Sequence, residues 1–330
     1  MKAKVFPKTW FLFVGLILAS LLSMACQTAV IREEVPPGKL YTFKSDGQGF
    51  DTKSFFYDSG KEVVVFDAQF TGQYAQQSID YIRKQTKSPI KYLVITHPNP
   101  DKFNGLQAFQ KIGAKVIASK KTVQAMPGVH QYKKYYFVKI AKSFTDGTYP
   151  ALGTVDITFD KEYTLNLSTG EDITLSELGT PGVSSNQTVA YIPSTRSYIV
   201  GDLIHHKAHA WLEGGIVNGK PLPNLKAWRG TLEALSQRAE ETPNAKVYGG
   251  RGDKAQIQDA ISQQIAYLKK AESTVESYIQ GLGERKSELS GEKAGEHYKA
   301  LTQAFEKAFP EYKLSYMIQY GIYGLVNSKL

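Results

Sequence analysis

Residues 92–104 read YLVITHPNPDKFN. Tyr92-Leu93-Val94-Ile95 is an apolar, β-branched run with the composition of a buried strand. The run stops near Thr96, and the loop that follows presents His97, Asn99, Asp101 and Lys102. A buried strand that empties into imidazole, amide, carboxylate and ammonium groups marks a site, and the reading of the whole chain grows from it.

On the N-terminal side, Ser54–Tyr57 and Glu62–Asp67 are β-like runs separated by Asp58-Ser59-Gly60, the pattern of a hairpin. Tyr74–Lys87 has helical periodicity, with Tyr74, Ile79, Tyr81 and Ile82 among its apolar positions. On the C-terminal side, Gly105–Ile112 reads as a short helix and Ala114–Ala118 as a strand. Strand and helix alternate here, which argues for a layered α/β fold. Further β-like runs follow at Thr154–Phe159, Tyr163–Leu167, Ile173–Leu178, Thr188–Ile192 and Ser197–Val200. Pro193-Ser194-Thr195 forms part of a turn, Leu225–Arg238 is a helix, and Ala245–Tyr248 is a last strand. From about Lys254 the pattern is helical, over Ile257–Gly281, Glu292–Phe309 and Tyr312–Leu325. Gly281 and Gly283 signal a helix end, and Pro310 separates the last two helices.

Four short blocks, in this order, carry a resemblance. They are Thr96-His97-Pro98-Asn99-Pro100-Asp101-Lys102, Thr180-Pro181-Gly182-Val183-Ser184, Val200-Gly201-Asp202-Leu203 and Val247-Tyr248-Gly249-Gly250-Arg251-Gly252. Together they resemble the metallo-β-lactamase superfamily across most of residues 40–325. In that family T-H-x-H-x-D-H follows a strand, T-P-G-H precedes a hairpin, G-D ends a strand and a last histidine sits in a glycine-rich turn. The resemblance implies an α/β fold, an αββα metallo-β-lactamase-like sandwich with a C-terminal helical extension, and a site at one edge between the sheets. It divides the chain into a signal at 1–25, a tether at 26–39, the family domain at 40–254 and the extension at 255–330.

The resemblance also implies seven ligand positions for a zinc pair, of which only His97, Asp101 and Asp202 keep a good donor. Zinc takes imidazole, thiolate or carboxylate. Asn99 offers a neutral amide oxygen, Val183 offers nothing, and Lys102 and Arg251 are cations that repel a metal. The substitutions make sense as a set. Two buried aspartates need compensation once a metal is gone. Lys102 and Arg251 can supply it, Arg251 through a planar fork suited to carboxylates. The expectation is an ion-pair cluster of Asp101, Lys102, Asp202 and Arg251, with no cofactor. The plain alternative leaves Lys102 and Arg251 as solvated surface charges. A second alternative rebuilds a site for one zinc ion from His97, Asp101, Asp202 and His206, since His205, His206 and His209 follow Asp202 closely. For these histidines a place in a loop or rim weighs more. His130 and His297 read as ordinary surface residues, and Asp67 as a strand-end group or a support for the metal loop. Tyr132, Tyr135, Tyr136 and Phe137 read as core packing or a substrate groove. Ser184 and Ser185 have no identifiable base beside them.

The N-terminus is a targeting segment. Lys2, Lys4 and Lys8 precede an uncharged apolar run from Trp10 to Leu22, and Ala25 precedes Cys26, the only cysteine. This resembles a bacterial lipoprotein signal in which Cys26 is lipidated, although Ser23 stands where leucine is usual. An uncleaved anchor helix and a plain secretory signal are the other readings. Gln27 after the cysteine leans toward the periplasmic face of the outer membrane. With a single cysteine there is no internal disulfide, so the core stabilises the chain unaided. About 300 residues beyond the signal suffice for one large domain. The formal charge is +9; three of the 40 basic residues and none of the 31 acidic ones lie in residues 1–25, which leaves +6 beyond them. That is spread along the chain and suits a surface near anionic lipid. Lys133–Phe137 is too short for a nucleic-acid patch, so no nucleic acid is expected.

Three functional classes remain open. One is a lipid-anchored pseudoenzyme that binds a small molecule or an envelope protein. Another is an active hydrolase of an ester, lactam or thioester with a single metal. The third is an assembly factor that uses only its outer surface.

Overall fold

The computed structural model describes residues 38–179 and 183–330. The signal segment, Cys26, nearly all of the tether and Thr180-Pro181-Gly182 lie outside the described residues.

The first half builds one sheet. Its strands are β1 (Lys39–Lys44), β2 (Lys53–Asp58), β3 (Val63–Phe66), β4 (Ile90–Val94), β5 (Lys115–Ser119) and β6 (Ile157–Phe159), side by side in that order. The first three are antiparallel, and the pairs from β3 to β6 are parallel. Helices α1 (Gly72–Gln85), α2 (Pro100–Phe103), α3 (Leu106–Lys111) and α4 (Lys120–Tyr135) fill the connections. The second sheet contains β7 (Glu162–Asn166), β8 (Asp172–Glu177), β9 (Thr188–Ile192) and β10 (Ser197–Ile199). A separate hairpin, β11 (Gly215–Val217) and β12 (Lys220–Leu222), and helix α5 (Leu225–Ala239) come next. Strands β13 (Lys246–Tyr248) and β14 (Ala255–Gln256) complete the second sheet in the order β14-β13-β10-β9-β8-β7. Helices α6 (Ile257–Leu282), α7 (Ala294–Ala308) and α8 (Tyr316–Asn327) close the chain.

Strand alternation explains the layering. Successive side chains point to opposite faces. Phe55 and Tyr57 of β2 and Val64 and Phe66 of β3 enter a core shared with Leu175, Ala190 and Ile199 of the second sheet. Their neighbours Phe56, Val63 and Val65 face the other way, onto Ala75, Ile79 and Ile82 of α1. The outer face of the second sheet packs Val189 and Val247 against α5, α6 and α8 through Trp228, Leu232, Ile261, Leu268 and Ile322. Both sheets are therefore apolar on two faces and covered by helices, which is the αββα sandwich.

The boundary expected at residue 254 falls inside the second sheet, because β14 pairs with β13. The C-terminal helices share their core with that sheet and with α5. Four elements escape the sequence patterns. β1 is a half-buried edge strand, and Lys39, expected to end the tether, begins it. β11 and β12 are three residues each. α4 carries Pro127 and Gly128 in mid-helix, which read as breakers. Ser119 caps its start on the Thr122 amide, and Thr122, Met126, Val129 and Lys133 form its buried stripe. No helix among the described residues is long and apolar enough to cross a membrane.

Candidate functional site

Four chain segments meet at one edge of the sandwich. The loop after β4 brings His97, and α2 brings Asp101 and Lys102. The turn after β10 brings Asp202, and the chain beyond β13 brings Arg251. The ends of β10 and β13 are tied by the Gly250 amide donating to the Gly201 carbonyl at 2.7 Å. A β-carbon on Gly201, which has φ +51°, would come within 2.4 Å of Thr96 Oγ1, so glycine lets the two loops close.

The side chains form one charge-balanced cluster. Lys102 Nζ lies 2.9 Å from Asp101 Oδ2 and 2.9 Å from Asp202 Oδ1. Arg251 Nη2 reaches Asp101 Oδ2 at 3.1 Å, and Arg251 Nη1 donates to Asp202 Oδ2. Thr52 Oγ1 donates to Asp101 Oδ2 at 3.1 Å and accepts from Arg251 Nη2 at 3.0 Å. Arg251 Nε donates to the Phe50 carbonyl at 2.9 Å. The Lys102 side chain is 0% exposed and the Arg251 side chain 4%, so neither is a solvated surface charge.

Electrostatics follow the geometry. Burial alone would raise the Asp101 carboxyl, but Lys102 and Arg251 outweigh it and hold it at about 2. Burial is likewise outweighed at Asp202, where Arg251 and Lys102 hold the carboxyl well below the usual range. Burial disfavours the Lys102 ammonium, yet Asp101 and Asp202 raise it above its ordinary value. His97 is pushed down to about 4 and His205 to about 3, in both cases by burial against the pull of Asp202. Both imidazoles are neutral near pH 7. Thr96 Oγ1 donates to Asp67, so it accepts from His97 Nδ1–H at 3.0 Å. The His97 Nε2 lone pair is then left 3.8 Å from Asp202 Oδ2. Asp67, buried behind the loop, also accepts from the Thr96 amide at 2.9 Å. Burial raises its carboxyl to about 7, against Lys102 and these hydrogen bonds.

The Metallo-beta-lactamase superfamily profile matches residues 47–250, which include all of these side chains except Arg251, one position beyond. The chain belongs to the metallo-β-lactamase superfamily. The Metallo-beta-lactamase type 2 of Elizabethkingia meningoseptica is 24% identical over 142 residues, 42% of this chain and 57% of that protein. The chain thus matches little more than half the length of this curated relative. A metallo-beta-lactamase structure from Pontibacter korlensis aligns with a TM-score of 0.51 at 21% identity, covering 70% of this chain and 94% of that one. The FIM-1 metallo-beta-lactamase of Pseudomonas aeruginosa, solved in a mono-zinc form, gives 0.51 at 18% identity, covering 73% and 98%. At these identities the structural likeness establishes the fold.

Zinc, which the superfamily implies, does not fit the residues present. Asp101 Oδ2 and both Asp202 oxygens already bond to Lys102 or Arg251. The Lys102 ammonium stands between the two carboxylates, where a metal would need their lone pairs. A β-carbon on Gly250 would come within 2.2 Å of Asp202 Oδ1 and 2.6 Å of Lys102 Nζ, so that side is full. Val183 is fully buried in apolar packing, and Asn99 stands half-buried at the start of α2. Among the described residues no three His, Cys, Asp or Glu are placed to hold a metal ion.

The rebuilt single-metal set with His206 is not assembled. His206 Nε2 lies 4.0 Å from Asp259 at the start of α6, and its backbone carbonyl is tied to the Asp253 amide. His205, like His97, is close enough for Asp202 to act on its charge state. His209 is buried against Tyr267, with Nδ1 3.3 Å from its hydroxyl. His130 and His297 are not surface residues. His130 is half-buried and 2.8 Å from the Pro150 carbonyl, and His297 is buried between Tyr278 and Glu288. Ser184 is buried, and Ser185 Oγ donates to Asn186 Oδ1 at 3.2 Å, which leaves neither with a base. Tyr135 is exposed, whereas Tyr136 and Phe137 line a cleft of about 1090 Å³ beside the cluster.

Thr52, Phe50, Lys133, Trp211 and Glu213 were missed by sequence reasoning. None stands in a family motif, and each enters from a loop or helix distant in the chain. Glu213 accepts from Lys133, from Tyr323 and from Trp211 Nε1, the last at 2.8 Å. Lys133 Nζ also lies 5.2 Å from the Trp211 ring centroid. The one available hint was Lys133, a cation on the apolar stripe of α4.

Proposed function

We propose that this chain is a ligand-binding member of the superfamily, held in the cell envelope by lipid on Cys26, in which an ion-pair floor replaces the zinc pair. The observation that carries this reading is the Lys102 ammonium bonded to both Asp101 and Asp202, with Arg251 bonded to the same two carboxylates. Two monovalent cations neutralise two carboxylates and bond to three of their four oxygens. A hydrolytic water activated by zinc therefore has no seat. The open cleft beside this floor supports a binding role.

The decisive measurement is elemental analysis of the purified protein after dialysis, beside lactam and ester hydrolysis assays. The expected result is well under one zinc per chain and no zinc-dependent turnover. Stoichiometric zinc that survives dialysis overturns the reading. A Lys102→His, Arg251→His double variant is expected to gain zinc affinity. For the anchor, Cys26→Ser is expected to move the protein from the membrane fraction to the soluble envelope fraction. Unchanged fractionation removes that part of the proposal.

A further inference from the structure

The cleft beside the ion-pair floor has a composition that names a ligand class. Its inner wall is a chain of neighbouring rings. Trp211 and Phe50 have centroids 6.4 Å apart, Phe50 and Phe70 4.9 Å, and Phe70 and Phe137 5.1 Å. Phe50, Phe137 and Trp211 stay partly exposed next to one another, and a contiguous apolar patch of this kind marks a binding surface. The rim is rich in amides, with Gln48, Gln73, Gln76, Gln77 and Gln107 around the buried Asn104. Each amide supplies both donors and an acceptor. The lining charges cancel: Lys133 is paired with Glu213 at the base, and Asp46 and Lys111 are the remaining charged side chains.

Phe50 is held in place at a backbone cost. It has φ +60° and the following Asp51 has φ +51°, a left-handed pair in which a bulky side chain is disfavoured. The Phe50 carbonyl takes the Arg251 Nε hydrogen bond, and the Phe50 ring meets Phe70 and Trp211. The guanidinium that replaces a metal ligand therefore also positions the cleft wall.

We infer that the cleft walled by Phe50 and Trp211 and rimmed by glutamines binds a neutral glycan, with sugar rings stacked on the aromatic faces and hydroxyls on the amides. This rests on the binding role proposed above and supplies its ligand class. Charge decides against a strongly anionic ligand, because Lys133, the buried cation of the cleft lining, is already neutralised. The amide rim decides against a simple acyl chain, which would cover those groups without bonding to them.

The test is calorimetric titration of the mature protein with a panel of neutral oligosaccharides that includes tetra-N-acetylchitotetraose and maltotetraose. Sodium decanoate is titrated in parallel, and zinc content is measured on the same preparation. Saturable binding of at least one oligosaccharide is expected. It should weaken at least tenfold in Trp211→Ala and in Phe50→Ala, recover largely in Trp211→Phe, and stay unchanged in the remote Gln237→Ala. Near-ultraviolet circular dichroism and the unfolding midpoint identify any variant that fails to fold, and Trp211→Phe keeps the test decisive if Trp211→Ala does. No binding across the panel, binding indifferent to Trp211→Ala, or Trp211-dependent binding of decanoate in place of sugar overturns the inference. Zinc-free protein that binds no glycan loses only the ligand class, whereas zinc-loaded protein that binds glycan loses the ion-pair reading and keeps the cleft.

Discussion

Buried carboxylates are satisfied in two ways in this molecule. Asp101 and Asp202 are met by formal charges, Lys102 and Arg251. Glu177, at the end of β8, is met by neutral donors. Its Oε2 accepts from Ser119 Oγ at 2.5 Å, Asn186 Nδ2 at 2.9 Å and Thr188 Oγ1 at 3.3 Å. Its Oε1 accepts from the Gly179 and Gln187 amides at 2.9 and 3.3 Å. Lys121, the cation nearby, gives its hydrogen bond to the Gly179 carbonyl instead. The difference is one of redundancy. Removal of one of five neutral donors leaves four, whereas removal of one cation leaves a net charge in a closed site. The charged cluster is the fragile one, and fragility of that kind is tolerated where a site has inherited its carboxylates.

The sharpest way to break the contrast is Arg251→Met. Removal of one partner of a buried pair costs about 3–5 kcal/mol, and loss of the Phe50 carbonyl contact adds to it. Urea denaturation is expected to show a loss in this range, and a similar one for Lys102→Met. Lys102→Met combined with Asp202→Asn should cost less than the sum of the two single changes, because the neutral pair leaves no orphaned charge. Additive losses would show that the two groups do not work as a unit.

Acid should discriminate next. His97 and His205 are depressed from 6.5 to about 4 and about 3, so their neutral forms contribute stability that fades as pH falls through that window. Asp101, depressed from 3.8 to about 2, extends the loss at the acid end. Asp67 pulls the other way. Raised from 3.8 to about 7, it takes up a proton more readily when folded, so its contribution grows as pH falls from 7. A net loss of about 3 kcal/mol between pH 6.5 and 4 follows from these shifts at about 1.4 kcal/mol per unit. Thermal unfolding across this range is expected to show it, and Asp67→Asn, which removes the opposing group, should steepen the slope. A flatter slope in that variant would contradict the assignment.

The Glu177 cluster should respond least. Thr188→Val removes one neutral donor, at an expected cost of about 1–2 kcal/mol. The same urea measurement should place it clearly below Arg251→Met. Equal losses would abolish the distinction between charged and neutral compensation.

Much of the fold was legible in local pattern. The runs at Val63–Phe66 and Tyr92–Ile95 are β-branched or apolar without interruption, as strands buried on both faces must be. α1 and α6 show helical periodicity and end on recognisable signals. The failures share a cause. β1 is half-exposed, β11 and β12 are short, and α4 runs on through Pro127, whose ring faces solvent. In each case packing overrode a weak or misleading local preference. Within the site, the motif blocks were visible because each is contiguous. Thr52, Phe50 and the Lys133–Glu213–Trp211 group were not, because no spacing rule links residues that meet only when loops close.

Sequence alone determined which groups the site would contain: two aspartates, a lysine and an arginine where relatives keep metal donors, and a valine that cannot coordinate. Tertiary structure decided what those groups do to one another. Lys102 could have pointed to solvent, as most lysines do. It is fully buried because α2 turns it toward Asp202, 100 positions away, and because Arg251, a further 49 positions on, closes the same cluster. Charge complementarity acts over a few ångströms, and distances of that kind exist only after the two sheets have packed.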